Sequence, residues 1–175
     1  MAGLDLELEP PSAGEARDIR KAAASGTPVL VAVDFSSESE AAVTWARTYA
    51  DAVGAPLEIL HVVHDPADSP GSYRAGEGDL LEPMADVAER RLAGFLEQMA
   101  REAPDLSGLE EAKRICVEGL PAAKILEVAQ ARSARLLVLG SRRRNGLDRL
   151  MHSSTAAQVM RRTELPVTIV KADRR

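Results

Sequence analysis

Apolar positions along the chain fall into two alternating patterns. Short apolar runs occur at 28–33 (PVLVAV), 57–63 (LEILHVV), 113–118 (KRICVE), 135–139 (RLLVL) and 166–170 (PVTIV). Runs of this length suit strands, and those with little polar interruption suit strands covered on both faces, as in a parallel sheet. Between the runs, apolar residues recur at helical spacing. Ala42, Trp45, Ala46, Tyr49 and Val53 mark one helix, opened by Ser36 or Ser37 as N-cap, with Glu38 and Glu40 in its first turn and Gly54 closing it. Trp45 reads there as a core residue. Leu81, Met84, Val87, Ala88, Leu92, Phe95 and Met99 mark a second, long helix that ends before Pro104. A third begins at Pro121 and carries Ile125, Val128 and Ala129; a fourth, capped by Ser154 or Thr155, carries Ala156, Val159 and Met160.

The order β-α-β-α-β-α-β-α-β predicts an α/β fold with a parallel sheet and right-handed crossovers. In open sheets of this kind a ligand sits beyond the carboxyl ends of the strands, where the strand order reverses. The ends available are Asp34, residues 61–64, Glu118 and Gly140. The last strand is expected at an edge, where its alternating apolar residues call for cover by a second copy.

Length and composition narrow the class. A chain of 175 residues, 45% hydrophobic but only 3% aromatic, suits one domain with a core of Ala, Val, Leu and Ile. Residues 1–26 are rich in Ala, Gly, Glu and Pro and read as an N-terminal extension, with a short helix around 15–24; the folded domain runs over 27–175. The connection at 65–79, rich in Pro, Gly, Ser and Asp, is longer than usual for this fold. The lone cysteine, Cys116, rules out an intrachain disulfide, fits a reducing compartment and reads as a small buried hydrophobe. No apolar run reaches the roughly 18 residues of a membrane span, and the acidic N-terminus is unlike a signal peptide. A cytoplasmic protein without a membrane partner is expected.

Charge is unevenly spread. Residues 142–175 hold nine Lys and Arg against three Asp and Glu, a local +6 in a chain of net −5, so the remainder carries −11. An acidic majority repels a nucleic-acid duplex, while the basic C-terminal end favours a small anion.

The segment Gly140-Ser141-Arg142-Arg143-Arg144-Asn145-Gly146, followed by Ser153-Ser154, is where that anion would sit. A strand feeding a glycine turn ahead of a helix gathers backbone N–H groups and the positive end of the helix dipole. The spacing fits neither a Walker A loop nor the dinucleotide G-x-G-x-x-G. Ser153 and Ser154 serve equally well as phosphate donors or as helix caps. Asp34, at the end of the first strand, either accepts from a ribose hydroxyl or purine amine or caps the following helix. His61, His64 and His152 lack metal-ligand spacing, and His61 reads as a satisfied core or crevice residue. No nucleophile elbow or Ser-His-Asp arrangement appears.

Several motifs in order carry a resemblance: Val31-Ala32-Val33-Asp34-Phe35-Ser36, Leu60-His61-Val62, Val117-Glu118-Gly119-Leu120-Pro121-Ala122, Leu137-Val138-Leu139-Gly140-Ser141, Asn145 to Leu150, and Leu165 to Val170. Over 27–171 the chain resembles the universal stress protein family. That resemblance implies a five-stranded open parallel sheet with helices on both faces, a three-layer sandwich like the adenine nucleotide alpha hydrolases, and a homodimer formed through the last strand at Val167 and Ile169. It also implies an adenine nucleotide, ATP or another, with or without Mg. In the ATP-binding branch the phosphates lie on a pattern G-x2-G-x9-G-Ser/Thr. Laid onto this chain, that pattern meets Gly140, Arg143, Ser153 and Ser154, so two of its three glycines are replaced. Asp34 falls at the ribose or adenine carboxylate, Ala32, Val62 and Leu139 on the adenine side, and Ser141 beside the phosphates. Three readings stay open: a stress-response regulator that binds an adenine nucleotide, a regulatory dimer of the same family that does not bind ATP tightly, and a nucleotide-hydrolysing enzyme, for which no catalytic residue stands out.

Overall fold

The computed structural model describes residues 26–64, 84–103, 106, 108–141 and 154–172. The helix expected at 15–24, the connection at 65–79, and Arg143 and Ser153 lie outside these residues. Strands β1 (Val29–Val33), β2 (Leu57–Val63), β3 (Lys113–Glu118), β4 (Leu136–Gly140) and β5 (Val167–Val170) form one sheet in the order β3-β2-β1-β4-β5. Every pairing is parallel. Helices α1 (Ser37–Val53), α2 (Met84–Glu102), α3 (Pro121–Ala131) and α4 (Thr155–Arg162) connect the strands, and a 3-10 turn at Leu109–Glu111 precedes β3.

Alternation along the strands divides the core in two. Val29, Val31, Val33, Ile59 and Val138 point to the face covered by α1 and α2. Leu30, Leu60, Val62, Leu137 and Leu139 point to the other, against Ile125 and Ala129 of α3 and Val159 of α4. This gives the expected three layers. The central strands are buried on both faces, which is why they read as continuous apolar runs; β3 and β5, at the edges, are half-buried.

Local signals ended the elements where they should. Ser36 caps α1 by accepting from the Ser39 N–H, and Gly54 turns left-handed at φ +62 with its N–H on the carbonyls of Ala50 and Asp51. Pro121 opens α3. At the amino end of the sheet the buried Glu58 of β2 takes a two-pronged contact from Arg132, just past α3, with Lys113 Nζ 3.7 Å away.

Two expectations are corrected. Trp45 is not core: it is 38% exposed and stacks on Tyr49 with ring centroids 5.3 Å apart. The buried side of α1 is Ser39, Ala42, Val43, Ala46 and Ala50, small residues that let the helix lie close on β1 and β4, so the indole is left on the flank. Cys116 is half-buried on the edge strand rather than enclosed, and burial, followed by the charge of Glu89, raises its thiol pKa. Trp45→Ala should therefore lower the unfolding free energy in urea by about 1 kcal/mol, the scale of a lost aromatic pair. A loss of about 3–5 kcal/mol, typical of a truncated core Trp, would put the indole back in the core.

Candidate functional site

The strand order reverses between β1 and β4: the chain passes from β1 to β2 on one side and later returns to place β4 on the other. The carboxyl ends of these two strands carry Asp34 and Gly140-Ser141. In open α/β sheets a ligand sits at such a reversal, which makes these strand ends the candidate site.

The turn after β1 is built around a strained residue. Phe35 has φ +63, a left-handed conformation that costs a residue with a Cβ roughly 1–2 kcal/mol. Its ring is held on several sides. The His61 ring lies 4.3 Å away between centroids, Phe95 meets it edge-on at 5.5 Å, and the Arg91 guanidinium carbon stands 4.5 Å above it. Aromatic and cation–π contacts of this kind offset such strain. His61 is buried, with Nδ1 2.9 Å from the Val33 carbonyl oxygen, so its N–H donates there. Burial pushes the His61 pKa down, against the Val33 hydrogen bond and Asp34, while Arg91 adds to the lowering. The histidine is a neutral support for the turn, in line with its reading as a satisfied crevice residue.

The left-handed turn brings the first turn of α1 back onto Asp34. The Ser36 N–H donates to Asp34 Oδ1 at 3.2 Å, and the Ser36 hydroxyl donates to the same oxygen. The Ser39 hydroxyl donates to Oδ1 at 2.8 Å and accepts from the Asp34 N–H at 2.9 Å. Asp34 itself does not cap the helix, since Ser36 takes that role. Its carboxylate stands exposed at the strand end, tied down by serines.

Gly140 is a glycine for a reason the sequence did not disclose. Its backbone is not left-handed. A Cβ there would lie 2.6 Å from the Glu38 carbonyl oxygen and 2.7 Å from its carbon, in the first turn of α1. Close approach of strand to helix demands the missing side chain. Next to it, the Ser141 N–H donates to the Val170 carbonyl at 2.7 Å, extending the β4–β5 ladder. Ser154 caps α4, its hydroxyl accepting from the Ala157 N–H at 3.2 Å.

Ala32, Val62 and Leu139 lie on one face of three adjacent strands. Ala32 is paired in register with Leu139 on one side and Leu60 on the other, and all three residues belong to the apolar cluster under α3 and α4. The structure thus gathers Ala32, Asp34, Val62, Leu139, Gly140 and Ser141 at one end of adjacent strands, and the β-α-β topology puts Ser154, which opens α4, at that same end. Ser39, Phe35 and Arg91 had not been singled out. The available signal was a serine inside the Ala-rich stripe of α1. A cavity of about 890 Å³ lies at the opposite, amino end of the strands, lined by residues including Thr27, Arg47, Glu58, Lys113 and Arg132. Its side chains are engaged in ion pairs rather than converging on a ligand, so the carboxyl end is the stronger candidate.

The sequence model of the Universal stress protein family matches residues 27–171. A universal stress protein of Thermus aquaticus is 28% identical over 143 residues, spanning 82% of this chain and 97% of its own. Of several mycobacterial relatives that match, this chain spans only 48% of the length. Among solved structures, a universal stress protein in complex with cAMP is similar with a TM-score of 0.58 at 22% identity, over 84% of this chain and 98% of that one. A universal stress protein from Archaeoglobus fulgidus in complex with dAMP gives 0.54 at 20%, over 83% and 98%.

Gly140→Ala tests the packing reason for that glycine without any ligand. The substitution should lower the unfolding free energy of the ligand-free protein by about 1–3 kcal/mol, the scale of overpacking. Unchanged stability would mean that the contact with Glu38 yields freely and that the glycine serves ligand approach instead.

Proposed function

Because the chain belongs to the universal stress protein family, we propose that it is a stress-response regulator that binds an adenine nucleotide at the carboxyl ends of β1 and β4. The observation that carries this reading is the juxtaposition of an oriented carboxylate, Asp34, with an apolar shelf of Ala32, Val62 and Leu139 at the point where the strand order reverses. That chemistry fits a nucleoside: half-buried Ala32, beside the buried Leu139 and Val62, offers adenine an apolar contact, and the carboxylate accepts from a ribose hydroxyl or the purine amine. The complexes of two similar proteins with cAMP and dAMP point the same way. Ser141, Ser154 and the arginines at 142–144 would meet the phosphates, Arg143 as a bidentate donor.

A second reading rests on a specific feature of the sequence. Arg143 and Ser153 stand where the family's ATP-binding pattern has glycine, and glycine is the residue that lets a phosphate approach the backbone closely. In that reading the protein is a regulatory dimer that takes a smaller nucleotide or none. Calorimetric titration with ATP, AMP and cyclic AMP separates the two. Micromolar ATP binding, weakened at least about tenfold by Asp34→Ala, is expected under the first. Absent binding that Arg143→Gly with Ser153→Gly restores supports the second; absent binding in both proteins sinks the nucleotide reading. Steady ATP hydrolysis abolished by Asp34→Ala would instead identify an enzyme.

The partner proposed is a second copy of this chain. The Leu137 N–H donates to the Pro166 carbonyl, and the Ser141 N–H to the Val170 carbonyl. Backbone groups alternate sides along a strand, so those of Val167 and Ile169 face the open edge. Their side chains pack into the core under α3 and α4, so charges there would test folding rather than assembly. Ile169→Pro removes an outward N–H instead. Light scattering should show a dimer for the parent and a monomer for this variant, with circular dichroism confirming that it is folded; a folded Ile169→Pro dimer or a monomeric parent refutes assembly through β5.

A further inference from the structure

Ser39 is out of place by the ordinary rules of helix burial. The other buried side chains of α1 are Ala42, Val43, Ala46 and Ala50, and Ser39, 2% exposed, lies in the same stripe. A serine within a helix commonly turns to solvent or bonds back to its own helix. This one turns out of the helix onto Asp34. Its oxygen accepts from the Asp34 N–H at 2.9 Å while its proton goes to Asp34 Oδ1 at 2.8 Å. The backbone nitrogen and the carboxylate of one residue are thereby tied to one oxygen, which closes a ring through the Asp34 Cα–Cβ bond and leaves its χ1 a single well. The oxygen is itself anchored. Its helix turn packs through Glu38 against Gly140 of β4, and the left-handed Phe35 between aspartate and helix is clamped by His61, Phe95 and Arg91. Ser36 also donates to Oδ1, but it is less buried, lies only two residues along and caps the helix as well.

We propose that Ser39 is a positioning residue of the site: its buried hydroxyl holds the Asp34 carboxylate in the one orientation that presents it to a nucleoside in the β1–β4 crevice. The proposal rests on the adenine-nucleotide reading, and its test keeps the two apart.

The first measurement needs no ligand. Three-bond NMR couplings about χ1 of Asp34 should report one rotamer in the parent protein and an averaged set in Ser39→Ala, a substitution that suits a helix and removes both hydrogen bonds between Ser39 and Asp34. Ser36→Ala is the control for a merely structural role: it should lower the melting temperature through loss of the cap while Asp34 keeps its single rotamer. A single rotamer in folded Ser39→Ala overturns the proposal, as does equal loosening by Ser36→Ala. The second measurement is a double-mutant cycle with ATP and AMP as probes. Ser39→Ala should weaken binding about tenfold, the scale of one hydrogen bond to a charged group. In an Asp34→Ala background it should change binding less than about twofold, since its effect passes through Asp34. An equal loss in both backgrounds overturns the proposal. If the parent binds neither probe, the nucleotide reading fails, and the rotamer measurement still decides whether Ser39 orients Asp34.

Discussion

The contact between the end of β4 and the first turn of α1 is the constraint on which the rest of the site depends. Gly140 brings its backbone so close to Glu38 that no side chain fits between them. That approach requires small residues along α1, and the helix provides them in Ser39, Ala42, Ala46 and Ala50. With α1 drawn onto β1 and β4, its first turn closes the crevice on one face of the sheet. The other face of the same strands offers Ala32 and Leu139, with Val62 alongside. One glycine therefore bears on both the packing of the upper layer and the shape of the candidate site.

The turn between β1 and α1 shows how the fold carries local strain. Phe35 adopts a backbone that disfavours any residue with a Cβ, at roughly 1–2 kcal/mol. The compensation comes from elements distant in the chain: His61 from β2, and Arg91 and Phe95 from α2. Burial pushes the His61 pKa down, so no second positive charge joins Arg91 beside the Phe35 ring, while the His61 Nδ1–H donates to the Val33 carbonyl. The result is a rigid turn whose first residue, Asp34, is exposed but not loose.

The two ends of the sheet are built on different terms. At the amino ends, charge is matched internally, with Glu58 against Arg132 and Lys113 and with Arg47 against Asp51. A buried carboxylate such as Glu58 is tolerated because partners meet it directly. At the carboxyl ends, polar groups converge instead. The Asp34 carboxylate is braced by serines, and α4 begins at Ser154. Bracing holds a side chain in place without enclosing it, as a binding site requires, whereas the matched charges at the amino end are a structural lock.

Much of this was legible in the sequence. Strand positions followed from apolar runs, because a central parallel strand is buried on both faces; helix ends followed from Ser36, Gly54, Pro121 and Ser154, because caps act within a few residues. The order of elements was enough to place a candidate site at Asp34 and Gly140. What remained hidden concerns contacts between residues far apart in the chain. Spacing alone put Trp45 in the core, but the closeness of α1 to the sheet moved it to the flank. Gly140 carried the mark of a ligand loop, yet its glycine is required by Glu38. Ser39 carried no signal beyond being a serine among alanines until the Phe35 turn folded it onto Asp34. The sequence by itself determined the elements, their order and the end of the sheet at which the candidate site is proposed, since backbone hydrogen bonding and burial periodicity are local. Only the tertiary structure decided which small residue meets which neighbour and how the carboxylate is held, since those depend on distances that no spacing along the chain encodes.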